Sequence, residues 1–223
     1  MPNEFRKLFC QPEKTVERLP RRIIFILYKP RDIVSGDFYW VTKKENTLIL
    51  AAADCTGHGV PGAFMSMLGI AFLNEIVNKI AINKHISSLQ ANEILQELRA
   101  QVINSLHQTG DRAEQKDGMD IALCIIDYED KKIQFAGAHN SLIIIRNGEI
   151  MQYQGDRMPV SYHKNKDLPF TQHTIELQNG DVFYIFSDGY VDQFGGQEGM
   201  KFMQANFKNL LLEIYKEPSH SAK

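Results

Sequence analysis

Apolar and polar positions along this chain fall into blocks whose period changes from one to the next. Residues 1–20 are polar and charged, and read as a tail or the end of a linker. From residue 22 the pattern becomes β-like. Residues 23–28 form an apolar run rich in β-branched side chains, closed by Lys29-Pro30. Residues 38–41 and 47–53 predict two further strands about a polar turn at 43–46. A helix then starts near Val60, with Pro61 in its first turn. Its early part, 63–73, is apolar on nearly every side, the pattern of a helix covered on more than one face. Residues 89–106 predict a second helix with a one-sided stripe of Ile94, Leu95, Leu98 and Val102.

After a polar loop at 109–118 the chain returns to strands, predicted at 119–127, 132–138, 142–146 and 149–154. Glu129-Asp130 and Asn147-Gly148 supply the joining turns, and Asn-Gly between apolar runs is a strong hairpin signal. A further hairpin is expected from 171–177 and 182–187, joined through Gln178, Asn179, Gly180 and Asp181. An amphipathic helix at 201–215 ends the pattern. Strands follow strands and the helices cluster between them. That order predicts an α+β fold of antiparallel sheets rather than a doubly wound parallel one.

A chain of 223 residues suits one domain, here 21–223, with a sizeable core. Its formal net charge of -2 offers no global attraction to nucleic acid or to anionic lipid. The three cysteines, Cys10, Cys55 and Cys124, are dispersed, which suits a reducing compartment and argues against a disulfide framework. No uninterrupted apolar run approaches the roughly 20 residues that span a bilayer. The first residues lack the apolar segment of a secretory signal. A cytoplasmic protein without membrane contact is the expectation.

Three segments place an aspartate beside glycine at the end of a predicted strand: Ser35-Gly36-Asp37, Asp54-Cys55-Thr56-Gly57-His58-Gly59 and Ser187-Asp188-Gly189. A carboxylate at a strand end is rigidly held yet opens onto a loop, and glycine lets an ion or ligand come close. Several such carboxylates converging bind hard divalent cations through oxygen. An isolated Asp-Gly, however, is more often a plain turn. Spacing alone therefore supports a candidate metal site and no more. Gly57, Gly59 and Gly62 lack the Lys-Ser/Thr ending of a P-loop.

Longer motifs carry a resemblance. Residues 28–40, YKPRDIVSGDFYW, and 53–63, ADCTGHGVPGA, resemble the first two motifs of the protein phosphatase 2C-like superfamily, in its bacterial branch named after sporulation stage II protein E. GMDIA at 118–122, AGAHN at 136–140 and FSDGYVD at 186–192 follow in the family's order. The likeness runs from about 22 to about 216.

The resemblance implies two stacked antiparallel sheets flanked by helices, an α-β-β-α sandwich. It implies two Mn2+ or Mg2+ ions, with a third allowed. Asp37 and Asp54 become direct ligands, Asp54 the bridging one, with the main-chain carbonyl of Cys55, Asp120 and Asp188 as further ligands and Asp192 behind them. A water activated between the two ions would then attack phosphorus in line. Arg31 falls where relatives hold the phosphate; a solvated loop arginine is an equal reading. His58 lies four residues after Asp54, later than the histidine of the eukaryotic pattern. His139 reads as support for a strand turn, and Met65 and Met67 as core.

One departure stands out: members usually end in a strand bearing an Asp-Asp pair, and no such pair follows Asp192. The implied partner is a phosphorylated regulatory protein, such as an anti-sigma factor antagonist, with an upstream sensor domain in a longer chain and a homodimer allowed. The alternative is a catalytically impaired relative acting as a regulatory binding module. A nucleotide cyclase ranks last, because Phe38 stands where its signature needs glutamate.

Overall fold

The computed structural model describes residues 24–30, 32–83, 88–111, 117–195 and 199–216. The expected tail at 1–20 and Arg31 lie outside the described residues.

The architecture follows from which face of each strand is apolar. Strands β1 (Phe38–Lys44), β2 (Thr47–Cys55), β3 (Met119–Asp127), β4 (Lys132–Ala138) and β7 (His173–Glu176) form an antiparallel sheet in the order β1-β2-β3-β4-β7. A second sheet places β5 (Leu142–Arg146) between β6 (Glu149–Tyr153) and β8 (Val182–Ile185). On β5, Leu142 and Ile144 pack with Leu48, Leu50, Cys124 and Phe135 between the sheets. Its alternate residues Ile143 and Ile145 face the other way, onto Phe207 and Leu211 of α3 (Met203–Lys216). A strand buried on both faces must be apolar at every position, as β5 nearly is.

The outer face of the five-stranded sheet is covered in the same way. Ile49, Ala51, Ile121 and Leu123 pack against α1 (Gly59–Asn83) and α2 (Ala91–Ser105) through Leu73, Ile76, Leu95 and Leu98. The layers therefore run helices, sheet, sheet, helix, as the resemblance implies.

Three expectations are corrected. Residues 24–28 show the alternating burial of a strand, with Ile24 and Ile26 against the inter-sheet core and Phe25 and Leu27 exposed, but pair with no ladder among the described residues. Side-chain period sets which face is buried; a strand also needs a hydrogen-bonded neighbour. The hairpin expected from 171–187 does not form either. β7 pairs with β4, and β8 pairs with β5 in the other sheet. The turn itself is real, with Asp181 N donating to Gln178 O at 3.1 Å, but it steps between sheets. Arg146 fixes that step, donating to both carboxylate oxygens of Asp181 and to Glu176 O.

The third correction concerns α1. Its segment Gly59–Ile82 averages a hydropathy of 1.5 over a bilayer-length window, so one helix is long and apolar enough to cross a membrane by length and composition. Ser66, Asn74, Glu75 and Lys79 interrupt the run and hide this from a search for unbroken apolar stretches. Its buried stripe, Ala63, Met65, Leu73, Ile76 and Val77, belongs to the core against the sheet.

Two short strands, β9 (Phe194–Gly195) and β10 (Met200–Lys201), pair with each other before α3.

Candidate active site

Four aspartates from distant parts of the chain meet at one end of the sandwich. Asp37 directly precedes β1, whose first residue Phe38 lies opposite Ala53 on β2. Asp54 is the next residue of β2 and sits opposite Asp120 on β3. Asp188 follows β8, in a turn where Asp192 N donates to Asp188 O at 2.8 Å. The antiparallel register thus sets Asp54 and Asp120 side by side, a pairing that no spacing in the sequence discloses.

Crowding these acids has an electrostatic consequence. Burial, followed by the charges of Asp37 and Asp188, pushes the Asp54 carboxyl from an ordinary 3.8 up to about 8, with Asp120 adding to the rise. Asp37 is also raised, chiefly by burial, while hydrogen bonds from Asp54 and Ser187 act against the rise. Near neutral pH the metal-free protein keeps a proton between Asp37 and Asp54.

The surrounding backbone is braced at several points. Asp37 N donates to Ser35 Oγ at 3.1 Å, and Tyr28 Oη donates to Asp37 O at 3.0 Å. Ser66 Oγ, on α1, donates to Ser35 O at 3.1 Å. Thr56 is tied to Gly118 by a backbone bond of 2.9 Å and by two contacts of its hydroxyl at 3.2 Å. Gly36 is required by close approach: a Cβ there would stand 2.9 Å from the carbonyl oxygens of both Cys55 and Gly57. The space that a side chain would fill stays open in front of those two oxygens.

This donor set fits a divalent cation. Its members are carboxylates and main-chain carbonyls, the hard oxygen ligands that Mg2+ and Mn2+ take. Clustered acids that must hold a proton to coexist have the charge a cation would replace. Among the described residues, no three His, Cys, Asp or Glu side chains are arranged so that they could hold a metal ion by themselves.

The remaining expectations can be placed individually. The Cys55 thiol is buried, and burial pushes its pKa well above the ordinary thiol range, so its side chain is no ligand or nucleophile. His58 is exposed in the loop before α1. Asp192 is ion-paired with Lys201 at 2.7 Å. His139 does occupy a turn, at φ 56°, but it also reaches Asp120 Oδ1 through Nδ1 at 2.8 Å. Sequence reasoning quoted Ser187 and Asn140 within motifs but gave them no role; Ser187 bonds Asp37, and the buried Nδ2 of Asn140 has no partner among the described residues. Asn140, His139, Ser187, Asp188 and Asp192 line a cleft of about 290 Å³ beside the acids. Asn140 falls within the AGAHN motif, but its unpaired amide donor appears only in three dimensions.

The family model described as Stage II sporulation protein E matches residues 44–222. No curated protein sequence matches the chain. Among solved structures, the SiaA-PP2C domain of Pseudomonas aeruginosa is 29% identical with a TM-score of 0.79, over 95% of this chain and 79% of that one. The PP2C phosphatase domain and regulatory-domain fragment of SpoIIE from Bacillus subtilis is 21% identical at a TM-score of 0.56, covering 71% of this chain and 43% of that one. RsbX in complex with magnesium is 18% identical at a TM-score of 0.53, covering 86% of each chain. The last two are likenesses of fold.

Proposed function

Because the chain belongs to the stage II sporulation protein E family of PP2C-type serine/threonine phosphatases, we propose that it removes phosphate from serine or threonine on a regulatory protein, using divalent ions held by the aspartate cluster. The observation that carries this reading is the convergence of Asp37, Asp54, Asp120 and Asp188 at an open backbone cradle, close enough that burial and mutual charge raise the pKa of the Asp54 carboxyl. The magnesium named in the RsbX structure supports a hard divalent ion.

Asp37, Asp54 and Asp188 would hold the ions, with the Cys55 carbonyl and Asp120 completing the donor set. Bound there, the ions supply an activated water nucleophile and neutralise charge on the phosphoryl oxygens. The protein's own part begins with Asp54, which gives up its proton when the site is loaded. Asp120 holds the His139 ring toward the cleft mouth. The Asn140 amide is a donor with no other partner, suited to a phosphoryl oxygen. Asp192, held by Lys201, steadies the turn that carries Asp188. Arg31 stays proposed as a phosphate contact. With water as the nucleophile no covalent phosphoenzyme is required, and the buried Cys55 thiol stays protonated.

The test is phosphate release from p-nitrophenyl phosphate with Mn2+, Mg2+ or EDTA, in the native chain and in Asp188→Asn. Turnover should depend on the metal and fall at least about 100-fold in the variant, consistent with losing several kcal/mol of charge stabilisation. Folded protein that shows no turnover in millimolar Mn2+ would instead support the non-catalytic binding role.

A further inference from the structure

A second cavity, of about 420 Å³, lies between α2 and the turns at 161–168 and shares no residue with the aspartate site. Its charged lining is Arg99, Lys166 and Asp167. Arg99 is the anomaly. It is 1% exposed and forms no ion pair among the described residues. Its Nη2 donates to Gln96 Oε1 at 2.7 Å and to Leu168 O. Its Nη1 reaches the weakly accepting sulfur of Met158 at 3.2 Å, and its buried Nε has no acceptor among the described residues. The Phe170 ring lies 4.4 Å from the guanidinium carbon and offers its face but no negative charge. A buried cation is normally paired, and this one is not.

The acids that could pair it are engaged elsewhere. Burial disfavours the Arg99 charge, and Asp167 and Asp156 are the carboxylates that act against that. Asp156 accepts from Thr171 N at 2.6 Å and from Thr171 Oγ1 at 2.9 Å. Asp167 is paired with Lys166 at 2.9 Å, and its side chain is 85% exposed. Asp167 in turn favours the Lys166 charge, while Arg99 is near enough to oppose it. The wall therefore gives two cations one acid, and the excess positive charge stands beside an open cavity. Its uncharged lining includes Ala100, Ile103 and Tyr162, an apolar bed with room for more than a bare ion.

One wall of the cavity also supports the metal site. Gln108 accepts from Tyr162 N at 2.8 Å through Oε1 and donates through Nε2 to Asp117 O. Beside it, Val160 N donates to Met119 O at 2.9 Å, and Gly118 O accepts from Thr56 N at 2.9 Å. Asp120 is the next residue of β3. The brace at the start of β3 is thus built from the same segments as the cavity.

We propose that this cavity is an effector site for a small organic anion, a carboxylate or phosphate on an apolar body, and that filling it tightens divalent-ion binding at the aspartates. The anion gives Arg99 and Lys166 the counter-charge they lack and draws 161–168 onto α2. Through Gln108 that firms the strand end carrying Asp120. The coupling rests on the metal-site reading; the anion site itself does not.

The experiment uses the full chain, freed of metal on a chelating resin, and records amide spectra by NMR during titration with benzoate, phenyl phosphate or neutral benzamide. Without metal the clustered aspartates repel anions, so binding reports the cavity. At least one anion should shift the amides of 96–108 and 161–168 with a Kd of about 1 mM, and benzamide should not saturate. Ala100→Phe fills the cavity from an exposed position on α2 and should weaken binding at least about tenfold. Lys166→Gln should weaken it about threefold. In calorimetry the Kd for Mn2+ should fall at least about twofold in saturating anion, and not at all in Ala100→Phe.

Failure of both anions to saturate below about 10 mM overturns the proposal. So do shifts scattered over surface lysines, equal binding of benzamide, or binding that survives Ala100→Phe. Saturable binding at the cavity with an unchanged Mn2+ affinity overturns the effector role. If the native chain binds no Mn2+, the metal-site reading fails instead, and the metal-free spectra decide the anion site by themselves.

Discussion

Replacing Asp54 with asparagine should stabilise the metal-free protein near neutral pH and remove its response to divalent ions. In the folded chain the Asp54 carboxyl titrates at about 8, against an ordinary 3.8. Between those values the native state binds more protons than the unfolded state. The contribution to stability is therefore intact below about pH 4 and is lost as pH rises toward about 8. At pH 7 the full shift would correspond to a loss of about 4 kcal/mol, at about 1.36 kcal/mol per unit. Asp54 is partly open to water, and solvent screening reduces that to about 2 kcal/mol.

For a chain of this size such a difference moves Tm by about 4–8 °C. Asparagine keeps a donor toward Asp37 and cannot ionise. In EDTA, Asp54→Asn should therefore melt higher than the native chain at pH 7 to 8 and about the same near pH 4. Millimolar Mn2+ should raise the Tm of the native chain and leave the variant unmoved. Thermal melts across that pH range decide the matter. A flat profile for the native chain in EDTA, or a variant that melts lower at pH 8, would refute the shared-proton account of the site.

Three further outcomes follow from particular contacts. Gly36→Ala should abolish metal-stimulated turnover and lower stability by about 1–3 kcal/mol, because its Cβ meets two backbone oxygens at 2.9 Å; activity and melting measured together check this. Gly148→Val should destabilise by about 1–2 kcal/mol, since Asn147 at φ 53° and Gly148 at φ 81° make the β5–β6 turn; denaturant unfolding would show it, with p-nitrophenyl phosphate kinetics unchanged. Cys55→Ala should retain turnover within about threefold and Cys55 in the native chain, followed by peptide mapping, should resist iodoacetamide, because the site uses the carbonyl of residue 55 and burial keeps its thiol protonated.

Much of the fold is local in origin and therefore readable. β3, β4 and β5 occupy the predicted residues, since each is an apolar run bounded by turn chemistry, and the Asn147-Gly148 hairpin forms as expected. What local chemistry does not hold is the identity of a strand's partner. The turn at 178–181 has the composition of a hairpin loop, yet the strands on either side belong to different sheets, joined by the long-range pair Arg146–Asp181. The same limit applies to the site. Each Asp-Gly was visible as a candidate, and family motifs put them in order. The adjacency of Asp54 and Asp120, the His139 contact to Asp120 and the unpaired amide of Asn140 depend on register between distant strands. Arg31 lies outside the described residues.

The four acids do not hang from equally firm supports. Asp54 and Asp120 lie on strands with neighbours on both sides, whereas Asp188 follows β8, which has a paired neighbour on one side only among the described residues. Amide hydrogens of β8 should exchange with solvent sooner than those of β2 and β3, because an edge strand opens without disturbing the rest of the sheet. Loading the site with metal would then slow exchange most at β8 and least at β2. The cluster then has a fixed half, Asp54 and Asp120, that defines where an ion sits, and a more compliant half, Asp37 before β1 and Asp188 after β8, each beside a strand with one paired neighbour among the described residues.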